Sequence, residues 1–168
     1  IDRDVVSFFA KRKLLYESCE QSADKTKEYH NAVFVGYDEN GVPCHAHKHG
    51  IYSNGKSFKG NVENSNPCYS FHYTGTSNRL YVFEAPIDMM SFITIYKNTH
   101  WQEHSYVALC GVSEQAMLKI LEINPYLNHV LLCLDHDAAG IEASEKFQDL
   151  LSKKGIKCSR LFSKCKDW

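Results

Sequence analysis

Asp135 and Asp137 stand two residues apart in the stretch Leu132-Cys133-Leu134-Asp135-His136-Asp137-Ala138-Ala139-Gly140. In extended chain, residues i and i+2 point the same way, about 6–7 Å apart. The two carboxylates can therefore face one space. Close carboxylates without a cation repel each other, and one takes up a proton. A hard divalent ion removes that conflict. Mg²⁺ keeps most of its waters and is held by one or two carboxylates plus substrate phosphate. The chemistry suggested is metal-assisted work on a phosphate ester. Glu84 follows the apolar run Leu80–Phe83 and suits a general acid or base. Asp88 and Asp167 are further acids at comparable positions. Each acid also has a purely structural reading, because Asp and Glu are common at helix N-termini. That reading is strongest for Asp88. For Glu84, Asp135 and Asp137 together, each at the end of a strand, chemistry is favoured.

Such acids need a scaffold that brings residues fifty positions apart to one edge. Strands are expected at Leu80–Phe83, Tyr106–Cys110, Val130–Leu134 and Ile156–Phe162. Helices are expected from Pro86 to about Asn98, from a Ser113 cap to about Ile123, and over Ala138–Lys153, with Gly155 as a stop. The alternation predicts an α/β fold with a parallel sheet and helices on both faces. In such sheets ligands gather at the carboxyl ends of the strands. The second strand ends in a turn of small residues, Cys110-Gly111-Val112-Ser113. Gly111, Ser113 and Gly140 leave room there and are candidate substrate contacts.

The first 78 residues read as a small α+β domain that packs against the second. It comprises a helix within 4–16, a polar loop, and a hairpin of Ala32–Tyr37 and Val42–His49 turning at Asp38–Gly41. Residues 52–66 read as loop and 68–73 as one more strand. The turn at 74–78 is the expected boundary, with the second domain over 79–168. His45, His47 and His49 alternate, and three imidazoles on one face could bind zinc. Spread over one flat strand they span about 13 Å, too wide for a tetrahedral site. A solvated or substrate-facing row is favoured. Tyr69, Phe71, Tyr73, Tyr81 and Phe83 could stack on bases, but their alternation favours core packing. Lys153, Lys154, Lys157 and Arg160 read as a solvated face.

Composition narrows the class. The chain has 168 residues, 43% hydrophobic and 23% charged, with a net charge of -1. It is not the basic domain that sequence-independent nucleic-acid binding usually requires. Seven cysteines, an odd number without a C-x-x-C pair, suit a reducing cytoplasm. No apolar run approaches the roughly 18 residues of a membrane span. The chain is expected to be part of a longer protein, truncated at its C-terminus.

The residues that carry this chemistry also carry a resemblance. Residues 81–92 (YVFEAPIDMMSF), 108–113 (ALCGVS), 131–140 (LLCLDHDAAG) and 166–168 (KDW) resemble the Toprim domain of topoisomerases and bacterial primases. The shared marks are a Glu after the first strand, a Gly turn after the second and D-x-D after the third. The primase branch adds an Asp four residues beyond the Glu, an Ala-Gly after the D-x-D and a later Lys-Asp. Residues 1–78 are similar to the small domain of unknown function that precedes Toprim in primase-like proteins of plasmids and other mobile elements. The resemblance implies nucleotidyl transfer or phosphodiester hydrolysis, with Glu84 as general acid/base. It implies Asp135 and Asp137 as ligands of Mg²⁺ or Mn²⁺, with Asp88 and Asp167 as additional metal acids. Its implied partners are nucleic acid, single-stranded DNA first, and nucleotides, with no membrane. Glu84-Ala85-Pro86 departs from the common Glu-Gly of primases, and no zinc-binding primase module is visible. A non-catalytic nucleic-acid-binding or scaffolding module is the alternative. A haloacid-dehalogenase-like phosphatase fits less well, because its D-x-D sits on the first core strand, not the third.

Overall fold

The computed structural model describes residues 1–22, 24–51, 58–111, 113–163 and 168. Helix α1 (Arg3–Lys11) opens the chain. The Asp2 side chain caps it by accepting the Asp4 N–H, and Val5 and Phe9 bury one face. Lys13 has φ +61, a left-handed conformation that cannot continue an α-helix. The helix expected within 4–16 therefore stops at Lys11. The residues after it become β1 (Leu15–Gln21), the edge of an antiparallel sheet in the order β1-β2-β3-β4. Strands β2 (Glu28–Tyr37) and β3 (Pro43–Gly50) form the expected hairpin. The Asp38 carboxylate closes its turn by accepting the N–H groups of Asn40 and Val42. Strand β4 (Lys59–Asn61) lies in what the sequence presents as loop.

The second sheet has the order β5-β7-β6-β8-β9. Strands β6 (Arg79–Phe83), β7 (Ser105–Ala108), β8 (His129–Leu132) and β9 (Lys157–Arg160) are parallel. The short β5 (His72–Tyr73) pairs antiparallel with β7. Of the strand expected at 68–73 only β5 forms, and Cys68 and Tyr69 belong instead to a short 3₁₀ turn, Pro67–Tyr69. Asn66 caps that turn by accepting the Cys68 N–H. Helices α2 (Pro86–Ile95), α3 (Gln115–Ile123) and α4 (Ala138–Lys153) connect the parallel strands. This is the expected α/β architecture with helices on both faces.

Connection handedness decides which face each helix covers. The step from β6 to β7 runs one way across the sheet, and the steps to β8 and β9 run the other. Right-handed crossovers place helices of opposed steps on opposite faces. Met89, Met90, Phe92 and Ile93 of α2 accordingly pack with Tyr81, Phe83, Tyr106 and Leu131. On the other face Met117 and Ile120 of α3 and Phe147 and Leu151 of α4 pack with Leu80, Val82, Val130 and Leu132. Each fully buried side chain of this size contributes about 1.5–3 kcal/mol. The α2 face also receives the first sheet. Phe9 and Phe34 meet Phe71 at centroid distances of 5.4 and 5.2 Å, in one core with Phe83. That shared core seats the first sheet beside the carboxyl ends of β6 and β7.

Candidate active site at the strand ends

Neighbouring strands β6 and β8 send their connecting helices to opposite faces. Their carboxyl ends therefore border a crevice, the place where open α/β sheets bind ligands. Glu84 directly follows β6, and Asp135 and Asp137 follow β8. Val82 lies opposite Leu132, and the Cys133 N–H donates to the Val82 carbonyl at 2.8 Å. The acids thus stand at one edge of the sheet on adjacent strands. Glu84 Oε2 and Asp135 Oδ1 are both buried atoms.

Local structure sets each acid differently. Asp137 is the N-cap of α4, and its Oδ1 accepts the Gly140 N–H at 3.0 Å. One of its oxygens therefore has a structural task. The Asp135 backbone is held from β9, where Arg160 Nη2 donates to the Asp135 carbonyl at 3.1 Å. Gly140 presses against the same carbonyl, and a Cβ on it would sit 2.2 Å from that oxygen. His136, between the two acids, is exposed and lies 5.5 Å from the Phe162 ring. Asp88 occupies the first turn of α2, which begins with Pro86 and has no side-chain cap. Asp167 lies outside the described residues.

The turn after β7 completes the rim. Cys110 has φ +56, unusual for a residue with a Cβ. This sharp reversal brings the Gly111 N–H to the Glu84 carbonyl at 3.3 Å. Burial pushes the Cys110 thiol up to about 12, so it is a neutral wall and not a nucleophile. Ser113 is exposed, and its hydroxyl accepts the Gln115 N–H at 3.5 Å.

Over this rim lies the first sheet. Glu84, Ala85, Cys110 and Gly111 face His47, Lys59, Gly60 and Asn61 across a cleft of about 250 Å³. Two of the three histidines are thus not solvated: His45 and His47 are only 4% and 6% exposed, and His47 lines the cleft. His47 Nδ1 donates to Asn61 Oδ1 at 2.7 Å. Burial pushes His45 down to about 4 and lowers His47 and His49 as well. The row is neutral near pH 7, and Lys59 is the cation at the cleft. Lys59, Asn61 and Arg160 were not legible as site residues. The one available signal was that Lys59 and Asn61 repeat the period-two spacing of His47 and His49.

These depressed histidines make stability pH-dependent. A His whose folded pKa lies below its unfolded value of 6.5 favours folding fully above that value, and the gain is lost as pH falls. For His45 the window is pH 6.5 down to about 4. The loss is about 3 kcal/mol at its full extent. Thermal unfolding followed from pH 7 to 4.5 is expected to show a steep fall in midpoint, and His45→Gln is expected to flatten it.

Carboxylate oxygens are the donors that hard divalent ions prefer. Among the described residues, three ligand atoms lie within 4.8 Å of one another at Cys19, Glu28 and His30, not among the strand-end acids. Mg²⁺ needs only one or two carboxylates besides water and substrate oxygens. The all-oxygen set at β6 and β8, with Glu84 Oε2 and Asp135 Oδ1 buried, fits that demand.

A sheet in the order β7-β6-β8-β9 with acids after β6 and β8 defines a Toprim-type α/β domain. The family model described as Toprim-like matches residues 81–168, just over half of the chain, and the chain belongs to that family. A second model, described as a protein of unknown function (DUF3991), matches residues 1–78. No curated protein matches. Among solved structures, the primase fragment of the bacteriophage T7 primase-helicase is similar, with TM-score 0.67 and 15% identity over 99% of this chain and 64% of that one. The T7 primase domains solved with lagging-strand DNA polymerase, an RNA/DNA hybrid and dTTP give TM-score 0.63 and 16% identity, covering 100% of this chain and 78% of that one. The E. coli primase catalytic core gives TM-score 0.55 and 14% identity, covering 96% of this chain and 53% of that one. The chain thus spans less than two thirds of the T7 fragment and about half of the E. coli core. These likenesses concern the fold.

Proposed function

We propose that this chain is a Mg²⁺- or Mn²⁺-dependent, primase-like nucleotidyltransferase or phosphodiester-hydrolysing module that acts on nucleic acid in plasmid or mobile-element replication. The observation that carries the reading is that Glu84 follows β6 and Asp135 and Asp137 follow the adjacent β8, while Lys59 and His47 line a cleft with Glu84. Asp135, Asp137, Asp88 and Asp167 would hold the ion. When bound, the ion would neutralise charge on the reacting phosphate and orient it. Glu84 would accept or deliver the proton of the reacting hydroxyl or water. Lys59 would meet phosphate charge, and Gly111, Ser113 and Gly140 would keep the rim low enough for a polynucleotide to pass. One of the similar structures includes an RNA/DNA hybrid and dTTP, which supports single-stranded DNA and nucleotides as partners. Further domains of a longer cytoplasmic protein belong to the same reading.

Primer synthesis, nicking and pyrophosphate release measured with Mg²⁺, with Mn²⁺ and with EDTA test it. Activity is expected with either ion and not with EDTA. Asp135→Asn is expected to lower it at least about 100-fold, since metal stabilisation of the transition state is worth several kcal/mol. Equal activity in both proteins would leave a nucleic-acid-binding module on a Toprim fold.

A further inference from the structure

The first sheet carries a metal-ligand cluster apart from the strand-end acids, and we propose that Cys19, Glu28 and His30 form a site for a borderline-soft divalent ion of the zinc class. Cys19 and His30 are direct cross-strand partners on β1 and β2. Glu28 is two residues before His30 and so shares its face. Cys19 Sγ lies 3.7 Å from His30 Nε2, which lies 4.0 Å from Glu28 Oε2. A tetrahedral zinc ion, with bonds of about 2.3 Å to sulfur and 2.0–2.1 Å to nitrogen and oxygen, sets ligand separations near 3.6 and 3.3 Å. The sulfur–nitrogen pair is already at that distance. The exposed Glu28 side chain needs to close on the ring nitrogen by about 0.7 Å, and its oxygen lies within 4.8 Å of Cys19 Sγ.

A second feature orients the imidazole. His30 Nδ1 donates to Glu17 Oε1 at 2.6 Å. Glu17 lies two residues before Cys19, on the same face of β1. A carboxylate on Nδ1–H fixes the tautomer that presents the Nε2 lone pair to a metal and raises its basicity. Ligand, ring and orienting carboxylate are thus supplied by two adjacent strands.

The donor set also selects the ion. A thiolate and an imidazole favour Zn²⁺ over Mg²⁺, the reverse of the all-oxygen set at the strand ends. Binding displaces the Cys19 thiol proton to solvent. One thiolate and one carboxylate then balance the charge of the ion. Three protein ligands leave a fourth position for water. The ion would clip edge strand β1 to β2, and Glu17 joins it to the apolar groove of about 640 Å³ that Val6, Phe34 and Met90 help to line.

The whole chain, reduced and stripped of metal, tests this with Co²⁺ as a spectroscopic stand-in for Zn²⁺. One thiolate-bound ion per chain is expected, with a thiolate-to-metal charge-transfer band and tetrahedral d–d bands that Zn²⁺ abolishes. Cys19→Ser is expected to remove the charge-transfer band. Glu17→Gln is expected to weaken binding 10- to 100-fold while keeping the band. Asp135→Asn is expected to leave the band unchanged, which keeps this result separate from the strand-end acids. Zn²⁺ is expected to raise the thermal midpoint of the wild type but not of Cys19→Ser. Cys19 is exposed, and circular dichroism of the variant checks that it folds. Glu28→Gln, expected to lose at least tenfold in affinity, supplies an independent arm. No band in the wild type, or a band that survives in Cys19→Ser, would overturn the site.

Discussion

Gly140→Ala is expected to destabilise the protein by about 2 kcal/mol and to disturb both aspartates at once. An added Cβ would sit 2.2 Å from the Asp135 carbonyl oxygen and 3.0 Å from its carbon. Both are backbone atoms, so no side chain can swing aside. A methyl forced into a packed site costs roughly 1–3 kcal/mol. Gly→Ala within a helix returns at most about 1 kcal/mol, and contact this close belongs at the upper end of the cost. The thermal midpoint is expected to fall by about 4–8 °C. Relief requires that the first turn of α4 move away from the Asp135 backbone. The Gly140 N–H also holds Asp137 Oδ1, so the move shifts Asp137 as well. The proposed metal-dependent activity is therefore expected to fall further than stability does. An unchanged midpoint would mean that α4 does not press on the β8 turn.

The alternation of β6 to β9 with three helices was legible because its signals are local. Helix α4 runs over the predicted span since Asp137 caps one end and Gly155, at φ +70, closes the other. The β2–β3 turn was equally legible, because Asp38 and Gly41 make it by themselves. Strand β1 was not, because as a sheet edge it leaves most of its side chains in water and shows no apolar alternation. Strand β4 has three residues and hides among Gly, Asn and Ser.

For the site, the acids at the strand ends were legible as types and positions, since D-x-D after an apolar run is a local pattern. The cleft wall was not. His45 and His47 look like a solvated strand face until the Phe9–Phe34–Phe71 core seats the first sheet against β6 and β7. Burial of a histidine by a partner layer is a tertiary fact, and no spacing announces it. The cross-strand meeting of Cys19 with His30 was hidden for the same reason, since it depends on the register between β1, not expected as a strand, and the start of β2, which the sequence presents as polar loop.

Glu84→Gln is expected to abolish most of the proposed chemistry while leaving the fold intact. Gln preserves the shape of the side chain and its hydrogen-bonding reach, but it cannot take up or release a proton. Positioned general acid–base groups contribute about 10²–10⁴-fold, and a loss of that size in turnover is expected. Glu84 is also the acid on the protein wall of the cleft, facing His47 and Lys59, so a purely electrostatic role must be separated from proton transfer. The pH profile does so. Wild-type turnover is expected to show a pH-dependent limb, and the Gln variant is expected to lose that limb while binding Mn²⁺ within a few-fold of the wild type. Retention of the limb would assign it to another group. Loss of Mn²⁺ binding with Glu84→Gln would make Glu84 a metal ligand, moving the general base to a different residue at the crevice. Unchanged turnover, with Asp135→Asn also active, would remove catalysis from this edge of the sheet altogether. The thermal midpoint, expected to stay within about 2 °C of the wild type for a substitution worth no more than ±0.5 kcal/mol in stability, guards each of these readings against simple unfolding.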